Sequence, residues 1–122
     1  MLHAYLRYAD NSALNAKLFY SWEWLMQLAH TQPEEAWQAF LWLANQRPDM
    51  RTSEVIGCGP LQDFLWLNAE YEERFIAAAH SQRSFYEFAR WCELDAEHVG
   101  AKRVEAFRAK LQASPLASQH DA

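Results

Sequence analysis

Three observations predict an all-α fold, a single compact domain of five to seven helices arranged as a bundle or a short stack of helix pairs. Apolar residues recur at steps of three and four along most of the 122 residues. Strand-like alternation never persists beyond a few residues. Glycine and proline are scarce, and two of the three glycines sit in one break, Gly57-Cys58-Gly59-Pro60. Connections are short, so successive helices should pack as antiparallel neighbours. The domain is expected over residues 1–113, followed by a small, polar, flexible tail over 114–122.

The first ten residues fit a helical turn through Leu2, Leu6 and Ala9, packed on the body. A helix follows from about Ser12 to His30, whose buried stripe is Leu14, Leu18, Trp22, Leu25 and Ala29. Tyr20 and Trp24 fall on another side. Thr31-Gln32-Pro33-Glu34 reads as a capping box opening the second helix, with Trp37, Phe40, Leu41 and Ala44 inward. That helix should end before Pro48, whose ring disfavours helical geometry at Arg47. A short turn from Ser53 to Ile56 leads to the glycine break. Gly57 is expected to end a helix in a left-handed conformation, and Pro60 to sit in the first turn of the next.

Pro60 to Asn68 forms a third full helix with Leu61, Phe64 and Leu65 inward. Asn68 can stop it and cap the following one, which runs to about His80 with Phe75, Ile76 and Ala79 inward. Ser84-Phe85-Tyr86-Glu87 reads as a second capping box, opening a helix to Glu93 that buries Phe85, Phe88, Ala89 and Cys92. Asp95 is the expected N-cap of the last helix, where Val104, Phe107 and Leu111 form the stripe.

Composition narrows the function classes. The chain is 51% hydrophobic and 15% aromatic, with six tryptophans, enough apolar surface to order its body. Its net charge of −5 argues against a nucleic-acid binder, which would show a basic balance or stripe. No window approaches the ~18 apolar residues of a membrane span. The opening Met1–Arg7 has no uninterrupted apolar run and no small-residue cleavage site, so no leader is expected. Cys58 and Cys92 are too few for a disulfide scaffold, and both are expected as reduced, buried thiols of a cytoplasmic protein.

No catalytic, metal-binding or cofactor-binding constellation assembles from spacing. The break lacks the lysine and the serine or threonine of a phosphate loop. The five histidines have no partner histidine at three or four residues and no neighbouring CxxC, so no metal is expected. Asp95 and His98 share a helix face as a cap and a surface histidine. A Cys–His nucleophile has no supporting placement. Adjacent acids such as Glu34/Glu35 and Glu72/Glu73 point about 100° apart and read as a solvated face, whereas Glu70 and Glu73, three apart, are better placed to act together. Asp63, in the first turn after Pro60, is expected to cap free amides there.

The tryptophan surplus points toward binding. Trp22 and Trp37 lie on core stripes, whereas Trp24, Trp42, Trp66 and Trp91 fall to the side of theirs. Tryptophans gathered on one patch would form an interaction surface. Trp66 stands one turn past the break, beside an acidic run. The candidate partner-binding set is therefore Asp63, Trp66, Glu70, Glu72 and Glu73, suited to a basic protein partner.

Pro33-Glu34-Glu35-Ala36-Trp37, followed by Gly57-Cys58-Gly59-Pro60-Leu61-Gln62-Asp63-Phe64-Leu65 and then Phe75-Ile76, resembles a family of small bacterial helical domains of unknown function. Its members carry a PEEAW helix start and a GPLEDLL break in the same order. The likeness spans about residues 21–88. Gln62 replaces the usual acid, Phe64 replaces leucine, and the last helix diverges. What the resemblance implies is an all-helical fold, and it carries no catalytic residue. In style, a small, acidic, tryptophan-rich and leaderless chain is similar to the immunity partners of bacterial toxins. The leading expectation is thus a non-enzymatic immunity protein that occludes a cognate, basic toxin domain. An adaptor or homodimeric scaffold is the alternative, and a small enzyme the third.

Overall fold

A computed structural model describes residues 15–117, with side chains from Trp22 onward. All of its regular elements are helical. They are α1 (Asn15–Thr31), α2 (Pro33–Asn45), α3 (Met50–Ile56), a wide π-type turn (Gly57–Leu61), α4 (Gln62–Leu67), a 3₁₀ turn (Ala69–Tyr71), α5 (Glu72–Ser81), α6 (Arg83–Ala89), α7 (Ala96–Val99) and α8 (Ala101–Gln112). Helix α1 packs on α2 and α4, α5 on α6 and α8, and α6 on α2, α3 and the π turn. The expectations for Leu2, Leu6, Ala9, Leu14, Leu18 and Tyr20 lie outside the described residues or side chains.

Proline sets the first boundaries. Pro33 at the first position of α2 pushes Gln32 out of helical geometry (φ −143°, ψ 71°), and this ends α1. The expected capping box is therefore absent. Thr31 is still helical and its hydroxyl donates back to the Gln27 carbonyl at 2.7 Å, leaving Gln32 as a cap without a side-chain bond. At the far end, Arg47 takes a positive φ of 50° before Pro48, and its N–H donates to Ala44. Helix α3 starts three residues before its expected position, because the Asp49 carboxylate accepts from the Thr52 amide at 2.8 Å.

The glycine break works differently from its expectation. Gly57 is right-handed (φ −67°, ψ −52°), so the chain does not terminate there. Instead it widens into a π turn and kinks at Gly59 (φ −110°, ψ −106°). Pro60 accounts for the widening: in an ordinary α-turn its ring would strike the carbonyl four residues back, and it has no N–H to donate. Glycine is required here for room. A Cβ on Gly57 would collide with the Phe88 carbonyl of α6, and one on Gly59 would lie 3.0 Å from the Trp22 ring of α1. At the break α6 and α1 therefore lie close against the backbone.

Three further caps depart from expectation. Asn68 makes no N-cap bond. It is buried, and its amide donates to the Ala29 and Phe64 carbonyls, tying the ends of α1 and α4 together. The box at Ser84 is absent because α6 begins at Arg83 behind an extended Gln82, and it stops at Ala89 rather than Glu93. Asp95 does cap, accepting from the Glu97 amide at 3.0 Å, but it opens the short α7. Gly100, at φ 88°, then separates α7 from α8.

The core follows the periodic stripes. Leu25, Trp37, Phe40, Phe64, Phe75, Phe85, Phe88 and Phe107 are buried, and the aromatic rings among them form a connected set. Trp37 contacts Phe64 and Phe85, Phe85 contacts Phe75 and Phe88, and Phe75 contacts Phe107, with centroids 5.3–6.1 Å apart. One cluster thus joins α2, α4, α5, α6 and α8. The expected tail divides. Ser114 is buried and donates to the Ala79 carbonyl at 3.0 Å, Leu116 and Ala117 pack against the core, and residues 118–122 lie outside the described set.

Candidate interaction groove

Helix α4 carries two side chains that capture the segment after α6. The Gln62 carbonyl oxygen accepts from the Glu93 amide at 2.9 Å, and the Trp66 indole N–H donates to the Glu93 carbonyl at 2.8 Å. Positions i and i+4 of one helix thereby satisfy both backbone groups of one residue. This clamp lays Leu94 and Asp95 alongside α4, with α7 and the start of α8 opposite.

Between them lies a cleft of about 190 Å³. Its apolar lining comprises Leu65, Trp66, Leu67, Ala69, Leu94 and Val99, and its polar lining Glu72, Asp95, His98 and Arg103. Trp66 is 47% exposed and Leu67 43%, adjacent large apolar residues at one mouth. The charges are paired across the rim. Glu72 accepts from Arg103 at 3.0 Å and lies 3.8 Å from the Lys110 ammonium, and His98 Nδ1 meets Asp95.

Of the five expected partner-binding residues, Trp66 and Glu72 meet in this cleft. Glu70 and Glu73 are exposed and make no ion pair with another described residue. Asp63 is elsewhere: it does not cap an amide but accepts from the Trp22 indole of α1 at 3.2 Å, half-buried. Burial pushes its carboxyl above the usual aspartate value, with the indole bond opposing. Leu65, Leu67 and Ala69 join them from α4 and the 3₁₀ turn, and the facing residues come from α7, the start of α8 and the loop before α7. The sole sequence signal for them was Asp95–His98 on one face, which the structure does bring into contact.

The cysteines divide as well. Cys92 is buried and its thiol donates to the Gly57 carbonyl at 3.0 Å, while Cys58 is exposed, against expectation. Its position on the outer side of the π turn explains the exposure. Burial raises both thiols, and Glu54 raises Cys58 further, the opposite of an activated nucleophile. Among the described residues no cluster of histidine, cysteine and acids could hold a metal, and no helix is long and apolar enough to cross a membrane. Comparison with protein-family models, curated proteins and solved structures returns no significant match.

Proposed function

We propose that this chain is a non-catalytic protein-binding domain of the PEEAW type that its motifs resemble, and that the Trp66 groove is its contact surface. Most concretely, it acts as a cytoplasmic immunity protein that binds and occludes a toxin domain. The observation that supports this reading is the adjacent exposure of Trp66 and Leu67 over an apolar cleft; among the described residues the other exposed large apolar side chain, Met50, stands apart from them in α3. The Glu93 clamp holds the tryptophan in place before binding, which lowers the ordering cost of association.

The test is protection. Co-expression with the toxin encoded beside its gene should restore growth, and the two purified proteins should form a complex. Leu67→Arg, a change at a half-exposed position, should abolish both while leaving the helical circular dichroism unchanged. Absence of both a complex and protection defeats the immunity reading. A concentration-dependent dimer of the chain alone, dissociated by Leu67→Arg, would instead establish the scaffold alternative.

A further inference from the structure

Resting on that reading, we infer that the groove is a socket for one phenylalanine-sized side chain, presented by a basic segment of the partner. Size comes first. An enclosed apolar cavity of about 150 Å³ accepts a benzene ring, and this cleft, at about 190 Å³, exceeds that by little. Its recessed part therefore matches one ring in size.

Polarity comes next. The cleft's four polar side chains are already matched, Glu72 with Arg103 and Asp95 with His98. The Trp66 N–H is likewise satisfied by the Glu93 carbonyl. A wholly apolar side chain thus enters without stranding a polar group, whereas a charged or amide side chain would find no complement in the floor.

Flanking charge sets the rest of the ligand. Glu70, Glu73 and Glu97 are exposed, make no ion pair with another described residue, and each neighbours a lining residue in the chain. Lys102, beside Arg103, is the one base in the same condition at this rim. Three such acids against one base lie within a residue of the lining, in a chain of net charge −5, so a ring flanked by lysine or arginine matches the balance near the cleft, with the attraction weakened by salt.

The probe is the peptide acetyl-Lys-Lys-Phe-Lys-Lys-amide, titrated into the ¹⁵N-labelled full chain by NMR. Saturable shifts are expected at the Trp66 indole and at the Leu67, Leu94 and Val99 amides, with a Kd on the order of 1 mM. Replacing the peptide's phenylalanine by alanine should weaken binding about tenfold or more, glutamate flanks should weaken it several-fold, and Leu67→Arg should abolish it. No shift at these positions by about 5 mM, roughly five times that Kd, or shifts indifferent to the phenylalanine, overturns the inference. The two readings fail separately. A toxin complex lost in Leu67→Arg alongside a peptide that does not bind removes the socket and keeps the protein-binding surface. Peptide binding without any toxin complex keeps the socket and removes the immunity role.

Discussion

The corner between α2 and α5 and the groove beside α4 are built from the same materials and end in opposite states. In the corner, Arg74 lies over the Trp37 and Tyr71 rings, 5.4 and 4.9 Å from their centroids. Glu34 holds it there through two bonds of 2.6 and 2.9 Å, while also accepting from the Tyr71 hydroxyl at 3.1 Å and from Gln38 at 2.9 Å. Aromatic faces, acid and base are all consumed internally. In the groove, Trp66 is bonded only along its edge, and nothing in the described chain covers the mouth it shares with Leu67. Tryptophan beside acids is therefore no signature of a binding surface. What separates the two regions is whether a cation from the same chain already occupies the ring face.

If the corner is structure and the groove is surface, the largest stability loss should come from the corner's centre. Trp37→Ala removes a buried ring that touches Phe64, Tyr71 and Phe85, and it deprives Arg74 of its platform. A loss of about 3–5 kcal/mol is expected from urea unfolding, with the remaining protein still able to bind if it is kept folded at low temperature. A loss below about 1 kcal/mol would mean that the corner is as peripheral as the groove, and the contrast would collapse.

The corner's carboxylate gives a smaller effect with a pH signature. Its bonds from Arg74 and then Gln38 lower the Glu34 carboxyl from 4.5 to about 2. Because the folded value is depressed, the stability it contributes is present above the unfolded value of 4.5 and is lost as pH falls toward about 2. Wild type should therefore exceed Glu34→Gln in urea midpoint near neutral pH, and the two curves should converge over that acidic window. The pair is exposed, so the gap should be well under that of Trp37→Ala. Curves that stay parallel through the window would show that Glu34 does not act through its charge.

How much of this was legible from the chain follows from what each kind of pattern reports. Periodicity reports burial, and Leu25, Trp37, Phe40, Phe64, Phe75, Phe85, Phe107 and Leu111 are all buried where their stripes put them. Cap motifs report only local compatibility. Thr31 and Ser84 each head a plausible box, yet Gln32 and Gln82 take the non-helical geometry one or two residues away, and that displaces the hydroxyl. Glycine has two uses, positive φ and missing bulk, and sequence cannot distinguish them. Gly57 serves the second because α6 lies against it, while Gly100 serves the first. The groove was half visible for a similar reason. Trp66 and Glu72 stand out locally, but Leu94, His98, Val99 and Arg103 reach the site only because Gln62 and Trp66 grip a peptide about thirty residues downstream. The role of Asp63 is not legible locally because its partner, Trp22, is 41 residues away.

The smallest effects on stability should come from the groove, and there the contrast meets its sharpest test. Trp66 has a structural duty as well as an exposed face, since its indole closes the Glu93 clamp. Trp66→Phe keeps an aromatic face and removes the bond, at a cost of about 1 kcal/mol. Leu67→Ser keeps the bond and removes apolar surface, at a cost within about 0.5 kcal/mol for a half-exposed site. If the groove binds through its apolar mouth, Leu67→Ser should weaken partner affinity more than Trp66→Phe does, although it is the gentler change to the fold. Calorimetry on the complex, paired with urea midpoints of the two free variants, separates the terms. An affinity loss that tracks stability across both variants would assign Trp66 to the clamp alone, making the groove a second closed corner with a half-exposed ring. An affinity loss that runs opposite to stability would mark a surface the chain keeps open at little cost to its own fold.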